Sequence, residues 1–140
     1  MTTRKRLRPI EERVSPLQQV ITSALEDMKA VNVRVLDVRG LTDIADTMII
    51  ASGNSDRHVR SIAERVVEKA KAAGSRPLGT EGARDGEWVL VDLQDVLVHV
   101  MLPRVREFYG LERLWEGGPV QPVAAAALAR PPARRRPSAR

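Results

Sequence analysis

Thr47–Ser52 reads Thr-Met-Ile-Ile-Ala-Ser, a continuous apolar run rather than an alternation of apolar and polar residues. Side chains of a strand point to opposite faces in turn, so such a run needs cover on both sides. That excludes a sheet with one wet face at this point and calls for a layered α/β arrangement. A chain of 140 residues is long enough to build one such core.

Covering layers are readable on either side of the run. Ser15-Pro16-Leu17-Gln18 is a helix start: the serine accepts from a free N–H, the proline needs no donor, and Gln18 can close a capping box. The helix that follows is expected to reach about Ala30, because Leu17, Val20, Ile21, Ala24, Leu25 and Met28 form one stripe. Residues 33–38 are a short β-branched run read as a strand, with a turn allowed at Gly40. After Gly53, a second helix capped by Asn54 or Ser55 presents Val59, Ile62, Ala63, Val66, Val67 and Ala70 on one face and stops at Gly74.

A loop is read around Pro77 and Gly79, followed by a Gly-rich stretch from Thr80 to Gly86. Two runs follow, 87–93 and 96–102, separated only by Gln94 and Asp95, which predicts an antiparallel hairpin. Pro103 ends the second run, and Phe108, Leu111, Leu114 and Trp115 then fit one face of a short helix that can bend at Gly110. All four aromatic residues, Trp88, Phe108, Tyr109 and Trp115, fall in this last part of the folded region. Large rings dominate interface energetics, so a recognition surface is expected here. Adjacent helical residues point about 100° apart, so Phe108 and Tyr109 cannot both be buried on one face.

Charge divides the chain. Residues 13–116 hold fourteen basic and sixteen acidic side chains, whereas residues 117–140 hold five arginines and no acid. The expected organisation is a basic N-terminal extension over residues 1–13, a mildly acidic domain over 14–116, and a disordered Pro/Ala/Arg-rich tail over 117–140. Arginines in that tail can condense on phosphates without sequence preference, or can be a solvated extension. The absence of cysteine removes disulfides, thiolate metal sites and a cysteine nucleophile. No apolar run approaches the ~20 residues of a membrane span, and the first residues lack the pattern of a signal peptide; a cytoplasmic protein is expected.

Candidate chemistry is sparse. There is no Walker A or GxGxxG sequence and hence no implied cofactor. Gly53-Asn54-Ser55 reads as a helix cap or as an anion site at a helix N-terminus. Asp37, Asp43 and Asp46 read as solvated turn residues or as magnesium ligands. His99 with Asp92 and Asp95 reads as a structural histidine or as an acid/base pair, and His58 carries less weight.

Residues 15–116 as a whole are similar to the ribosomal silencing factor family, also called the Iojap family. The resemblance is carried by Asp46 with Met48, Ile49, Ile50, Ala51, Ser52 and Gly53, by Trp-Val-Leu-Val-Asp at 88–92, by Val-His-Val at 98–100, and by Arg-Glu-Phe-Tyr-Gly-Leu-Glu-Arg-Leu-Trp at 106–115. It implies a small mixed β-sheet flanked by helices, nucleotidyltransferase-like, with a tendency to form homodimers. It also implies binding to the large ribosomal subunit through its universal ribosomal protein fourteen, which keeps the small subunit from joining and represses translation. A role in ribosome biogenesis is attributed to some relatives. Active nucleotidyltransferases need a glycine-serine motif followed by paired carboxylates on one strand. Here Asn54 follows Gly53, and Asp92 and Asp95 are three apart, so a nucleotide-dependent enzyme is the alternative and a non-enzymatic binder the first reading. A ribosomal-protein partner is basic, so an acidic and aromatic surface suits it. Laid on the family motifs, this chemistry selects Trp88, Asp92, Asp95, Glu107, Tyr109, Leu111, Glu112 and Trp115 as partner-binding residues.

Overall fold

A computed structural model of the chain describes residues 15–116, with side chains through Arg113; the expected N-terminal extension and C-terminal tail lie outside the described residues. The elements in order are α1 (Pro16–Asp27), β1 (Val31–Asp37), β2 (Thr47–Ser52), α2 (Asp56–Ala72), β3 (Gly79–Glu81), β4 (Trp88–Asp92), β5 (Val96–Met101), α3 (Pro103–Tyr109) and α4 (Leu111–Glu116). Five strands form one mixed sheet in the order β1-β2-β5-β4-β3. Only β2 and β5 pair in parallel; the other neighbours are antiparallel.

The apolar run does what its pattern demands. Ile49 and Ala51 point to one face, where Val89, Val91, Val96, Val98 and Val100 pack under Ile21, Leu25, Val59, Ile62 and Val66 of α1 and α2. Met48 and Ile50 point to the other, in a cluster with Trp88, Leu90, Leu97 and Met101 that also takes in Val105 of α3 and Leu111 of α4. Period-two alternation along β4 and β5 therefore feeds two cores, one on each side of the sheet.

Helix starts follow the sequence closely. Ser15 accepts from the N–H of Gln18 at 3.0 Å, with Pro16 in the first turn, and Ser55 accepts from the N–H of His58 at 3.0 Å. Lys69 and Lys71 stand in the last turn of α2, where cations suit the helix dipole. Gly74 follows at φ 92°, past the helix end.

Two expectations about the strands need correction. The stretch read as a loop contains β3, whose Gly79, Thr80 and Glu81 pair with Asp92, Val91 and Leu90. Its three residues are exposed, so no apolar period marks it; pairing to β4 alone makes it a strand. Strand β1 begins at Val31, not at residue 33, because a register irregularity between Val31 and Arg34 lets the pairing continue through Asn32 at φ 51°.

Candidate interaction surface

The α3–α4 corner grows directly out of the sheet. Pro103 ends β5 and opens α3, and Gly110 ends α3 in the left-handed region at φ 58°, donating its N–H to the Arg106 carbonyl at 3.0 Å. Glycine reaches that conformation without a Cβ penalty, so α4 starts at the next residue in a new direction. The bend expected at Gly110 is thus a full break between two short helices, and Phe108 and Leu111, expected on one face of a single helix, part to solvent and core respectively.

A polar clasp holds the corner. Arg106 is only 8% exposed, and its guanidinium grips both oxygens of Glu112, Nε to Oε1 at 2.9 Å and Nη2 to Oε2 at 2.7 Å. Its remaining nitrogen donates to the hydroxyl of Ser52 at the end of β2, at 2.9 Å. Arg34 on β1 adds a longer contact to Glu112 at 3.8 Å. Hydrogen bonding from Arg106 holds the Glu112 carboxyl below its ordinary range against the opposing effect of burial, with the charges of Arg106, Arg34 and Arg113 adding to the lowering.

Beside the clasp, four rings form a column from the sheet to solvent. The indole N–H of Trp88 donates to Nδ1 of His99 at 2.8 Å inside the core. Trp88 meets the ring of Tyr109 with centroids 5.0 Å apart, tilted by 52°. Tyr109 in turn meets Phe108 edge to face at 5.0 Å. Phe108 ends the column with 78% of its surface exposed, an unusual position for a phenylalanine on an ordered helix.

The residues selected from sequence fall in three places, with Trp115 apart. Glu107 is exposed and Tyr109 and Glu112 are half-buried, all on the corner. Trp88 and Leu111, at 4% and 0% exposure, stand behind that surface and support it from the core. Asp92 and Asp95 lie at the other end of the hairpin; four residues of strand at about 3.3 Å each separate Asp92 from Trp88 by ~13 Å. Asp92 is buried and accepts from the N–H of Gln94 at 2.9 Å, fixing a turn in which Gln94 has φ 75°, while Asp95 is exposed. The side chain of Trp115 lies outside the described residues. Phe108 was not among the selected residues, although the angle between 108 and 109 already required one of them to face outward. Arg106, Ser52 and Arg34 were also not selected, since nothing local in sequence joins β1, β2 and the corner.

Several residues that other chemistries would use are engaged within the fold. His99 is fully buried with Nδ1 occupied by Trp88, so it cannot serve as a base toward a substrate. In Gly53-Asn54-Ser55, the Asn54 N–H donates to Nδ1 of His58 at 2.9 Å, and the other ring nitrogen of His58 bonds the Met28 carbonyl at 2.8 Å. That histidine ties the start of α2 to the end of α1 and uses a donor that an anion would need. A Cβ on Gly53 would stand 2.9 Å from the Val59 backbone nitrogen, so this glycine permits close packing of strand end on helix. Asp37 is engaged by Arg39 at 2.8 Å, and among the described residues no three His, Cys, Asp or Glu side chains are grouped as for a metal ion. No helix among the described residues is long and apolar enough to cross a membrane.

Comparison with known proteins gives a consistent picture. The family described as "Ribosomal silencing factor during starvation" matches residues 11–140, a longer span than the 15–116 that carry the resemblance in sequence. "Ribosomal silencing factor RsfS" of Chromobacterium violaceum is 43% identical over 118 residues, covering 84% of this chain and 95% of that one. A crystal structure of a protein from the same organism superposes with a TM-score of 0.71 at 42% identity, covering 87% of this chain and 98% of that chain. Further away, the mouse "Mitochondrial assembly of ribosomal large subunit protein 1" is 31% identical over 99 residues, 69% of this chain and 43% of its own length.

Proposed function

We propose, from the premise that the chain belongs to the ribosomal silencing factor family, that it binds the large ribosomal subunit through universal ribosomal protein fourteen and thereby blocks joining of the small subunit. The relatives' names speak for translational silencing and for large-subunit assembly. The observation that carries the reading is the exposed Phe108 on a corner that Arg106 and Glu112 hold rigid. A large ring presented on a fixed backbone loses little entropy on binding and fills a pocket in the partner.

Exposed Glu107 and half-buried Tyr109 flank that anchor in the chain with a carboxylate and a phenol that a basic ribosomal protein can meet, while both oxygens of Glu112 are taken up by Arg106. A standard interface buries roughly 800 Å² per partner, broad enough to reach Asp95 at the far end of the hairpin as well. Silencing is then steric: a factor seated where the subunits meet must leave before they join, and its action is set by its concentration relative to its Kd. The protein works as a cytoplasmic binder rather than a catalyst, free or as a homodimer, and the arginines of residues 117–140 add a salt-sensitive contact to ribosomal RNA.

Sedimentation with separated subunits tests this. The protein is expected with the large subunit, lowering the yield of joined ribosomes, and equal distribution between the two subunits would overturn the reading.

A further inference from the structure

The ring column has a chemical direction. An indole nitrogen is a donor only, so Nδ1 of His99 must carry a lone pair to receive the 2.8 Å bond from Trp88, and the histidine's own proton resides on Nε2. His99 is fully buried on β5, a central strand, and faces the same side as Leu97 and Met101, so its position is fixed by the sheet. Trp88 lies on β4 diagonal to it, since Leu90 is the direct cross-strand partner of His99. The bond therefore fixes the rotation of the indole about its own side-chain torsions, which apolar packing alone does not specify to the same degree. Outward of Trp88 the contacts continue, its ring meeting Tyr109 and Tyr109 meeting Phe108 edge to face.

We infer that His99 is a positioning residue for the partner surface, holding the exposed Phe108 in its binding orientation through the Trp88 indole and the Tyr109 ring. This rests on the reading of the α3–α4 corner as the partner-binding site. The role requires no contact between His99 and the partner. It requires an acceptor at the place where Nδ1 stands, with the sheet as its support.

Three variants separate positioning from simple filling of the core. His99→Leu keeps volume and removes the acceptor. His99→Asn sets a carbonyl oxygen near the place of Nδ1, and His99→Gln carries the same amide one bond further out, serving as the acceptor-displaced variant should His99→Leu fail to fold. Tyr109 and Phe108 are the chain's one tyrosine and one phenylalanine, so their ring resonances are read without overlap from others of their kind. His99→Leu, or His99→Gln in its place, is expected to move those resonances and weaken large-subunit binding about tenfold, the equivalent of one net hydrogen bond. His99→Asn is expected to return both toward wild type.

Unchanged ring resonances in the acceptor-lacking variant, or failure of His99→Asn to restore them, overturns the inference whatever happens to stability. If the rings move and return as expected while neither these variants nor Phe108→Ala alters binding, the positioning role stands and the binding-surface reading fails.

Discussion

Arg106 and Glu112, six residues apart, close a two-pronged ion pair across the Gly110 corner, with N–O distances of 2.9 and 2.7 Å. The pair is useful because the guanidinium has a third partner in Ser52, so one buried side chain joins α3, α4 and β2. Two short helices with little propensity of their own are thereby held at a fixed angle.

Glu112→Ala leaves the buried guanidinium without its counter-charge. Breaking a fully buried pair from one side costs about 3–5 kcal/mol, but Glu112 keeps 20% of its side chain exposed and water can reach the vacated place, so a loss of about 2 kcal/mol is expected. Urea denaturation of the two proteins checks it. A change below ~0.5 kcal/mol would show that the corner is held by apolar packing instead.

The same carboxyl gives a pH signature. Its folded-state pKa is depressed from an ordinary value of 4.5, chiefly by the Arg106 hydrogen bonds. A depressed carboxyl contributes stability that is present above the unfolded value and is lost as pH falls through the folded one. The wild type should thus lose stability below about pH 4.5 more steeply than Glu112→Gln, whose amide does not titrate. Denaturation midpoints measured across pH 3 to 7 compare the slopes, and parallel curves would exclude this source.

Legibility in sequence followed how local each determinant was. The two-faced burial of Thr47–Ser52, the caps at Ser15 and Ser55 and the β4–β5 hairpin each depend on residues within a few positions, and all are present. Strand β3 was hidden because its exposed residues are ordered only by a neighbour. Of the candidate surface, the clustering of the rings near the corner is legible in sequence, but which ring faces outward depends on what the sheet places behind it, namely Trp88 behind Tyr109. The Arg106 clasp, reaching 54 residues back to Ser52, has no local signal at all.

Gly53→Ala distinguishes a packing glycine from a ligand-binding one. Its added methyl meets the Val59 backbone nitrogen at 2.9 Å and that residue's side chain at 2.9 Å, and the Val59 backbone, held in the helix, cannot yield cheaply. Overpacking of this kind typically costs about 1–3 kcal/mol. The variant should therefore melt earlier, and under the proposed function its affinity for large subunits, measured well below the melting range, stays unchanged.

Phe108 and Leu111 make opposite predictions although both are large apolar residues of the corner. Leu111 is fully buried against the Trp88 side of the sheet, so Leu111→Ala removes apolar contact and opens a cavity, a loss of about 2–4 kcal/mol. Phe108 is 78% exposed, and Phe108→Ala should change stability by less than ~0.5 kcal/mol. If the corner is the partner surface, the order reverses for binding: an anchor ring typically contributes 2 kcal/mol or more, so Phe108→Ala should weaken large-subunit affinity about thirtyfold. Thermal melts and subunit sedimentation on the same two proteins decide the matter. A Phe108→Ala protein that binds large subunits as well as wild type would remove the ring column from the interface and leave the Asp95 end of the hairpin as the remaining acidic surface proposed for it.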